Sequence, residues 1–560
     1  MDFLIFFLIY FLITLSVIGY GVFFSSLIGA NYFLNSHGYS GLIGLFFLTI
    51  YSYISNIFFA HSEIHNTLLI FLGLSFLTYK LLKEKKYFNK KNSIITISII
   101  LIFFISFLIF KTHDDFTYYH FAYSYYLTQN PSFIGIGPFN HGFRTPSSIF
   151  YMNSLFYLPF IKHYMFHISA AMMMIFANLI LIEKIINNTK NQEINFITFF
   201  SLLSFLFINI FFYRLGEHGT DRSAQILIFI LLIEILFLIN FSKIIERDIN
   251  KIFIIIGLVI SLKAFYILYL ILFIPVILFL IDKENIYYLF KVIKNKFLIL
   301  FVLFVSLILL TNFLNTGCIV YPVGSTCFEG LAWAFEIDHV NKMNDWYEQW
   351  SKAGAGPNFR VQNPEHYILH FNWISNWLEN YFFNKISDFL LGIFVLCIIV
   401  YISFFSKIKK KLISRKILPL YIFVFVLFLE WFYNHPALRY GGYCIIATLI
   451  FLPLSKILEN RFNFKDKKYE KRFFILMIVG LLIFFGRNIN RIENENKLYG
   501  YNPLKNPYYS FDQKHYSIQG TFNSLIENFE LCDENNSKCI IDLKPIVIKK
   551  YRKYIFLNNQ

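Results

Sequence analysis

An all-α polytopic membrane protein is the fold class this sequence predicts, and three observations predict it. Hydrophobic residues fill 57% of the 560 positions and charged residues 15%, against roughly 25% charged in an average soluble domain. The apolar residues fall in runs of about 20, the length that spans a bilayer as a helix. Most of the cations lie between those runs, and they favour alternate loops. A disordered chain, a coiled coil and a small disulfide scaffold are excluded. The 21% aromatic content is not read as a ligand cage. Phe, Ile, Lys, Asn and Tyr are enriched together, as AT-rich coding would produce. The net charge of +16 would suggest nucleic-acid binding in a soluble protein. In a membrane chain it first reports orientation, and no nucleic-acid partner is expected.

Candidate spans lie near 3–28, 41–60, 65–82, 93–110, 163–183, 194–213, 223–241, 297–314, 386–405, 417–433, 441–458 and 473–486. The first run follows Asp2, lacks a leading cation and is too long for a signal peptide. The run 252–281 has Lys263 at its middle, with Lys243, Arg247 and Lys251 before it and Lys283, Lys291, Lys294 and Lys296 after it. Two short helices turning near Lys263 reconcile those flanks and bring the total to about 13–14 transmembrane helices. Alternation then places 80–92, 184–193, 242–251, 282–296, 406–416 and 456–472 on one side with 28 Lys and Arg. The loops 111–162, 214–222, 263, 315–386 and 434–440 carry 11. The cation-rich side is cytoplasmic by this asymmetry, and both chain ends lie outside.

The chain divides into a four-span unit (1–110), an outer loop with an Asp-Asp pair (111–162), a central bundle (163–314), a second outer loop (315–386), a C-terminal bundle (387–486) and a small outer segment (487–560), expected as a globular cap. Cys318 and Cys327 share the second outer loop, and Cys532 and Cys539 share the tail. Two disulfides in an oxidising compartment are expected, with four free thiols as the alternative. Cys397 and Cys444 fall in spans, where a lone Cys is an ordinary small hydrophobe.

Ionisable groups in or beside spans are expensive and mark candidate sites. Here they gather on the outer face. Asp114-Asp115 and His120 follow the fourth span, and His141 and Arg144 lie in a Gly/Pro-rich stretch of the same loop. The next outer loop holds Glu217, His218, Asp221 and Arg222; Lys263 and then His435 and Arg439 complete the set. Each has a structural alternative. Adjacent residues on a helix face different ways, so at most one of Asp114 and Asp115 points into a site, and the pair is otherwise a solvated loop start. His141 and Arg144 suit a structural turn equally. Glu217 and Asp221, at i and i+4, suit local ion pairs with Arg222. Lys263 is placed either to snorkel or to hold a phosphate. His435 and Arg439 flank Pro436 and otherwise mark a span end. Glu430 lies one turn before Asn434 and is placed to orient that loop; Glu234 has no account. The inner halves of the spans read as poor in charge.

No phosphate-binding P-loop, HExxH, CxxC or GxSxG motif occurs, and the histidines show no metal spacing. No cofactor is required by the sequence, and a divalent metal is left open. An outer-face site cannot reach cytoplasmic nucleotide sugars, whereas a lipid-linked donor presents its phosphate at the headgroup plane. Glycosyl transfer from such a lipid needs a carboxylate to take the acceptor's proton and cations to neutralise the phosphate leaving group. Asp114 or Asp115 fits the first role. Arg144, Arg222, Lys263 and Arg439 fit the second. Tyr118, Tyr119, Tyr125 and Tyr126 fit sugar stacking or, more simply, interfacial anchoring.

Many spans, the acidic Asp114-Asp115 motif in an early outer loop and an outer C-terminal segment resemble integral-membrane glycosyltransferases of the GT-C superfamily, which use polyprenyl-phosphate-linked sugars. The stretches Asp114–His120, His141–Ser148, Cys318–Cys327 and Trp346–Arg360 resemble an uncharacterised family of bacterial inner-membrane proteins. The first resemblance implies a periplasm-facing glycosyltransferase whose partners are the bilayer, a lipid-linked sugar donor and a glycan acceptor; the second implies a membrane protein of cell-envelope type and supplies no activity. Three other readings stay open, one of them a binding or scaffold role for the tail 487–560. An O-antigen polymerase or ligase would use loop 315–386, with Arg360, His366 and His370 as candidates. A flippase of envelope lipids would line a path with charge on both membrane faces.

Overall fold

The computed structural model describes residues 3–83, 90–281, 286–354, 361, 363–406, 416–461, 468–510, 539–541, 544–551 and 554–559. Its apolar helices in chain order are α1 (Phe3–Leu27), α2 (His37–Phe58), α3 (Glu63–Lys83), α4 (Lys90–Phe107), α5 (Ile168–Lys190), α6 (Phe196–Phe211), α7 (Leu215–Phe241), α8 (Ile245–Leu262), α9 (Ala264–Ile281), α10 (Lys296–Thr316), α11 (Ile374–Phe404), α12 (Leu418–Asn434), α13 (Gly442–Arg461) and α14 (Lys468–Tyr499). Among the described residues, 11 helices are long and apolar enough to cross a membrane. The others are the shorter α6 and α12 and α8, whose first two turns carry Glu246, Arg247, Asp248 and Lys251. The chain is a multi-pass membrane protein whose membrane part is all-α.

Residues 252–281 form a hairpin. Lys263 is extended between α8 and α9 (φ −162°, ψ 140°). Phe253 and Phe273, equidistant from it in sequence, meet with ring centroids 5.4 Å apart, so the arms run back along each other. α5 and α7 cross the centre of the bundle and are buried almost throughout, as helices apolar on every side must be. α3, α11 and α14 present rows such as Leu68–Phe71–Leu72 and Leu391–Phe394 outward, the surface that lipid covers. Between lipid-solvated helices the driving force is close packing. α1 and α2 supply it at backbone contact: a Cβ on Gly21 would stand 1.7 Å from the Ser40 carbonyl oxygen, and one on Gly44 would stand 2.0 Å from that of Val17.

One expectation is corrected at the end of the bundle opposite the large loops. Glu234, two turns from the end of α7, is fully buried. It pairs with Lys184 of α5 at 2.7 Å and Lys251 of α8 at 3.4 Å, and accepts from the Tyr39 hydroxyl of α2. Lys251 also reaches Asp248 at 3.2 Å, which Arg247 pairs at 3.0 Å. This half of the bundle is therefore not poor in charge. The segments 184–193 and 242–251 read as loops in sequence, but α5 runs on to Lys190 and α8 begins at Ile245. Their lysines consequently lie inside the helix packing.

α14 likewise outruns its apolar stretch. Arg491 pairs with Glu495 at 3.2 Å and donates to the Leu108 carbonyl at 2.6 Å, while Glu495 accepts from the Phe110 amide at 3.1 Å. The Tyr509 hydroxyl then donates to the His163 carbonyl at 2.8 Å. The start of the tail thereby ties down the chain on both sides of the Asp-Asp loop. Further along, β1 (Cys539–Ile541), β2 (Lys544–Tyr551) and β3 (Tyr554–Asn559) form an antiparallel sheet in that order. Cys532 and the side chain of Cys539 lie outside the described residues, whereas Cys318 and Cys327 form a disulfide.

Candidate functional site

The outer-loop ions meet through segments far apart in sequence. Phe116–His120 is a π-helical turn that runs into the helix Phe121–Gln129. Such widened turns re-aim side chains and recur at functional sites. Here the two neighbouring acids part company. The Asp114 side chain is 72% exposed and lies 3.9 Å from Lys111. The Asp115 side chain is 29% exposed and turns inward, 3.1 Å from an Arg439 guanidinium nitrogen. Arg439 Nε donates to Asp221 Oδ2 at 2.9 Å, and Lys263 Nζ donates to the other Asp221 oxygen at 2.7 Å. Asp115, Arg439, Asp221 and Lys263 thus form one chain of alternating charge contributed by four separate segments.

Gln225, one turn after Asp221 on α7, fixes the segment carrying Arg439. Its side-chain nitrogen donates to the Arg439 carbonyl at 3.1 Å and its oxygen accepts from the Cys444 amide at 3.1 Å. The Tyr266 hydroxyl of α9 donates to the Asp221 carbonyl at 3.2 Å. Gly441 follows with φ +94°, a left-handed conformation that favours glycine, and α13 begins at once. Arg439 lies 5.4 Å from the Trp350 ring centroid, and Lys263 lies 4.7 Å from that of Tyr440, both within cation–π range.

This chain of ions borders a cavity of about 340 Å³. Asp115, His120, His141, Lys263, His435 and Arg439 all line it; Asp221 stands behind Lys263 and Arg439. One wall is apolar and belongs to the α8–α9 hairpin, with Leu262, Phe265, Ile267 and Leu268. The facing wall comes from loop 315–386. Trp346, Tyr347 and Trp350 of the helix Ile337–Lys352 contribute, as do Val320–Val323, which lie between the bridged cysteines. On the α9 side the exposed Leu268 continues into the outward row Ile274, Ile277, Leu278 and Ile281, so the apolar wall meets the lipid-facing surface of that span.

Burial raises the Asp115 carboxyl, but Arg439, then His113 and His120, outweigh it and hold the group at about 2. Burial pushes the His120 imidazole down to about 3. It also pushes His435 down to about 4, reinforced by the Lys352 and Lys263 charges. At neutral pH both histidines are uncharged, and the network holds two acids against two cations.

Other residues singled out in the sequence lie elsewhere. Arg144 is buried and does not border the cavity. It donates to the Tyr321 hydroxyl at 2.9 Å and stands 4.8 Å from the Phe335 ring, pinning the disulfide loop to the first outer loop. Arg222 stands 5.7 Å from the Phe212 ring and is also absent from the cavity wall. The Glu217 and His218 side chains, like Arg360, lie outside the described residues. The backbone breaks at Gly219 (φ 25°, ψ −74°) between Glu217 and Asp221, so the helix connecting that pair is interrupted. Asn434 donates to Glu430 at 3.2 Å, holding the end of α12. Among residues that sequence reasoning passed over, Gln225 carried a signal, a polar residue one turn beyond Asp221 inside an apolar run. Tyr440 carried none, and Trp350 was noticed only within the Trp346–Arg360 stretch that carries the family likeness, because only the folded chain brings the two rings to the cations.

Among the described residues no group of three or more metal-binding side chains converges. No curated protein and no solved structure matches the chain. Residues 1–446 match the family described as a domain of unknown function, DUF8201, and the chain belongs to that family.

Proposed function

We propose that the protein is a bacterial inner-membrane glycosyltransferase that takes a sugar from a polyprenyl-phosphate-type lipid at the periplasmic face, in envelope glycan assembly, as its likeness to the GT-C superfamily suggests. One observation carries the reading. The Asp115–Arg439–Asp221–Lys263 chain borders a cavity whose apolar wall continues into the lipid-facing side of α9. A lipid donor needs that combination, with prenyl chain along α9, phosphate at the cations and sugar toward the aromatic loop wall. The acceptor oxygen attacks the anomeric carbon and the bond to the phosphate oxygen breaks. The acceptor proton passes to Asp115 and the lipid phosphate departs.

In the resting site Asp115 is a weak base, because Arg439 stabilises its charge. A donor phosphate competing for Arg439 and Lys263 loosens that pair, so Asp115 gains basicity only when the donor is bound. Of the residues that the polymerase or ligase reading names, His366 and His370 do not line the cavity and Arg360 lies outside the described residues. The flippase reading gains the Glu234 cluster, since it places charge in the other half of the bundle. Those groups are closed into helix contacts, with Lys184 and Lys251 largely buried and Glu234 wholly so, and none of the three lines the cavity.

The test is sugar transfer by purified protein across a panel of polyprenyl-phosphate donors. Asp114→Asn is expected to retain activity. Asp115→Asn is expected to lose at least about a hundredfold, the usual scale of general-base loss. Equal activity in the two variants would remove Asp115 as base, and no transfer from any donor would overturn the enzyme reading.

A further inference from the structure

We propose that the cleft at the other end of the α8–α9 hairpin, remote from Lys263, binds the headgroup of an anionic phospholipid. After α9 the chain returns through a short helix, Ile286–Ile293, before α10 begins. This helix, the turn after α1 and the first turns of α8 enclose about 770 Å³. The cleft is independent of the Asp115 cavity and of the activity proposed for it.

Its floor is a built polar surface. Asn250 is 5% exposed and Asn295 is 7% exposed. Asn295 donates to the Asn250 side-chain oxygen at 2.5 Å, and Asn250 donates to the Tyr32 hydroxyl at 2.7 Å. Tyr32 accepts in that bond and keeps its own proton to donate. The rim carries the exposed Lys291, Lys294 and Lys296, and among the described residues one acid, Glu246, lines the cleft. A phosphodiester accepts hydrogen bonds and carries the opposite charge, so it complements both floor and rim.

The short helix says that the anion arrives on a lipid. Tyr287, Phe290 and Ile293 stand outward beside the lysines. Apolar side chains next to a basic strip are the pattern of a helix lying in the headgroup plane, and basic pockets between spans recruit acidic headgroups. A zwitterionic headgroup brings its own ammonium against the lysines and is disfavoured.

The experiment offers phosphatidylglycerol and phosphatidylcholine in equal amounts to the detergent-purified full chain and counts retained lipid by native mass spectrometry. Wild type is expected to retain phosphatidylglycerol in about tenfold preference, the scale of a few surface lysines. Lys291→Gln/Lys294→Gln/Lys296→Gln is expected to fall to near parity with an unchanged melting temperature, since all three side chains are exposed. Tyr32→Phe removes a donor without changing charge and is expected to lower retention. No preference in wild type, or an undiminished preference in the triple variant, would overturn the proposal. Displacement of bound lipid by inorganic phosphate alone would mark a free-anion site and overturn it equally.

Discussion

Arg439 serves two carboxylates at once, and removing it leaves both without that countercharge in a largely enclosed place. Breaking a buried pair by deleting one partner typically costs about 3–5 kcal/mol. Arg439 keeps some exposure, so Arg439→Ala is expected near the lower figure, read as a fall in melting temperature in detergent. Arg439→Lys keeps the charge but not the fork that reaches Asp115 and Asp221 together, and is expected to rescue only part of the loss. His435 gives a pH dependence of defined sign. Its folded value of about 4 lies below the roughly 6.5 of an unfolded chain, so the unfolded state binds more protons between them. Its stabilising effect is complete above about pH 6.5 and is lost as the pH falls toward 4. His435→Gln is expected to flatten the melting-temperature profile in that window; an unchanged slope would deny His435 this role. That Asp115 and not Asp114 faces the cavity was not legible in sequence, because the direction of adjacent side chains depends on the π-turn that follows them.

The loop 318–327 shows what an element adds beyond its residues. The disulfide closes a short loop whose interior residues, Val320–Val323, form part of the cavity wall, and Arg144 holds that wall from behind through Tyr321. Chain-entropy arguments give about 2.5 kcal/mol for a loop of this size. Cys318→Ser/Cys327→Ser, or reduction, is expected to lower the melting temperature and to weaken donor binding, with little effect on helix content by circular dichroism. The α1–α2 crossing is equally specific. Gly44→Ala inserts a methyl group where backbone already stands and is expected to destabilise by about 2 kcal/mol or more, visible as a lower yield of folded protein. Much at this scale was legible. The α8–α9 hairpin followed from a cation centred in an over-long apolar run with cations at both flanks. The aromatic wall was not legible, because no local pattern in the polar loop helix Ile337–Lys352 announces which surface it will cover.

Across the whole molecule, α7 and α8 are joined by ion pairs at both ends, Asp221–Lys263 beside the cavity and Glu234–Lys251 at the far end. Sequence reading found the first pair's members by their place at span ends. It missed the second because its lysines sit where hydropathy alone draws loops. Thirteen residues separate Asp221 from Glu234, about 20 Å of helix at 1.5 Å per residue, while a typical hydrocarbon core is about 30 Å thick. α6 and α12 are also short, 16 and 17 residues, or about 25 Å. The two charged layers on α7 therefore stand closer together than the hydrocarbon core is thick, although 11 helices among the described residues are long enough to cross it; leaflets that thin locally to meet those layers would draw the lipid phosphates down toward the cavity. Hydrophobic mismatch costs fractions of a kcal/mol per Å, so thermal stability should be greatest in bilayers of short acyl chains and decline steadily as the chains lengthen. Stability indifferent to chain length would mean that the adjustment is made by helix tilt.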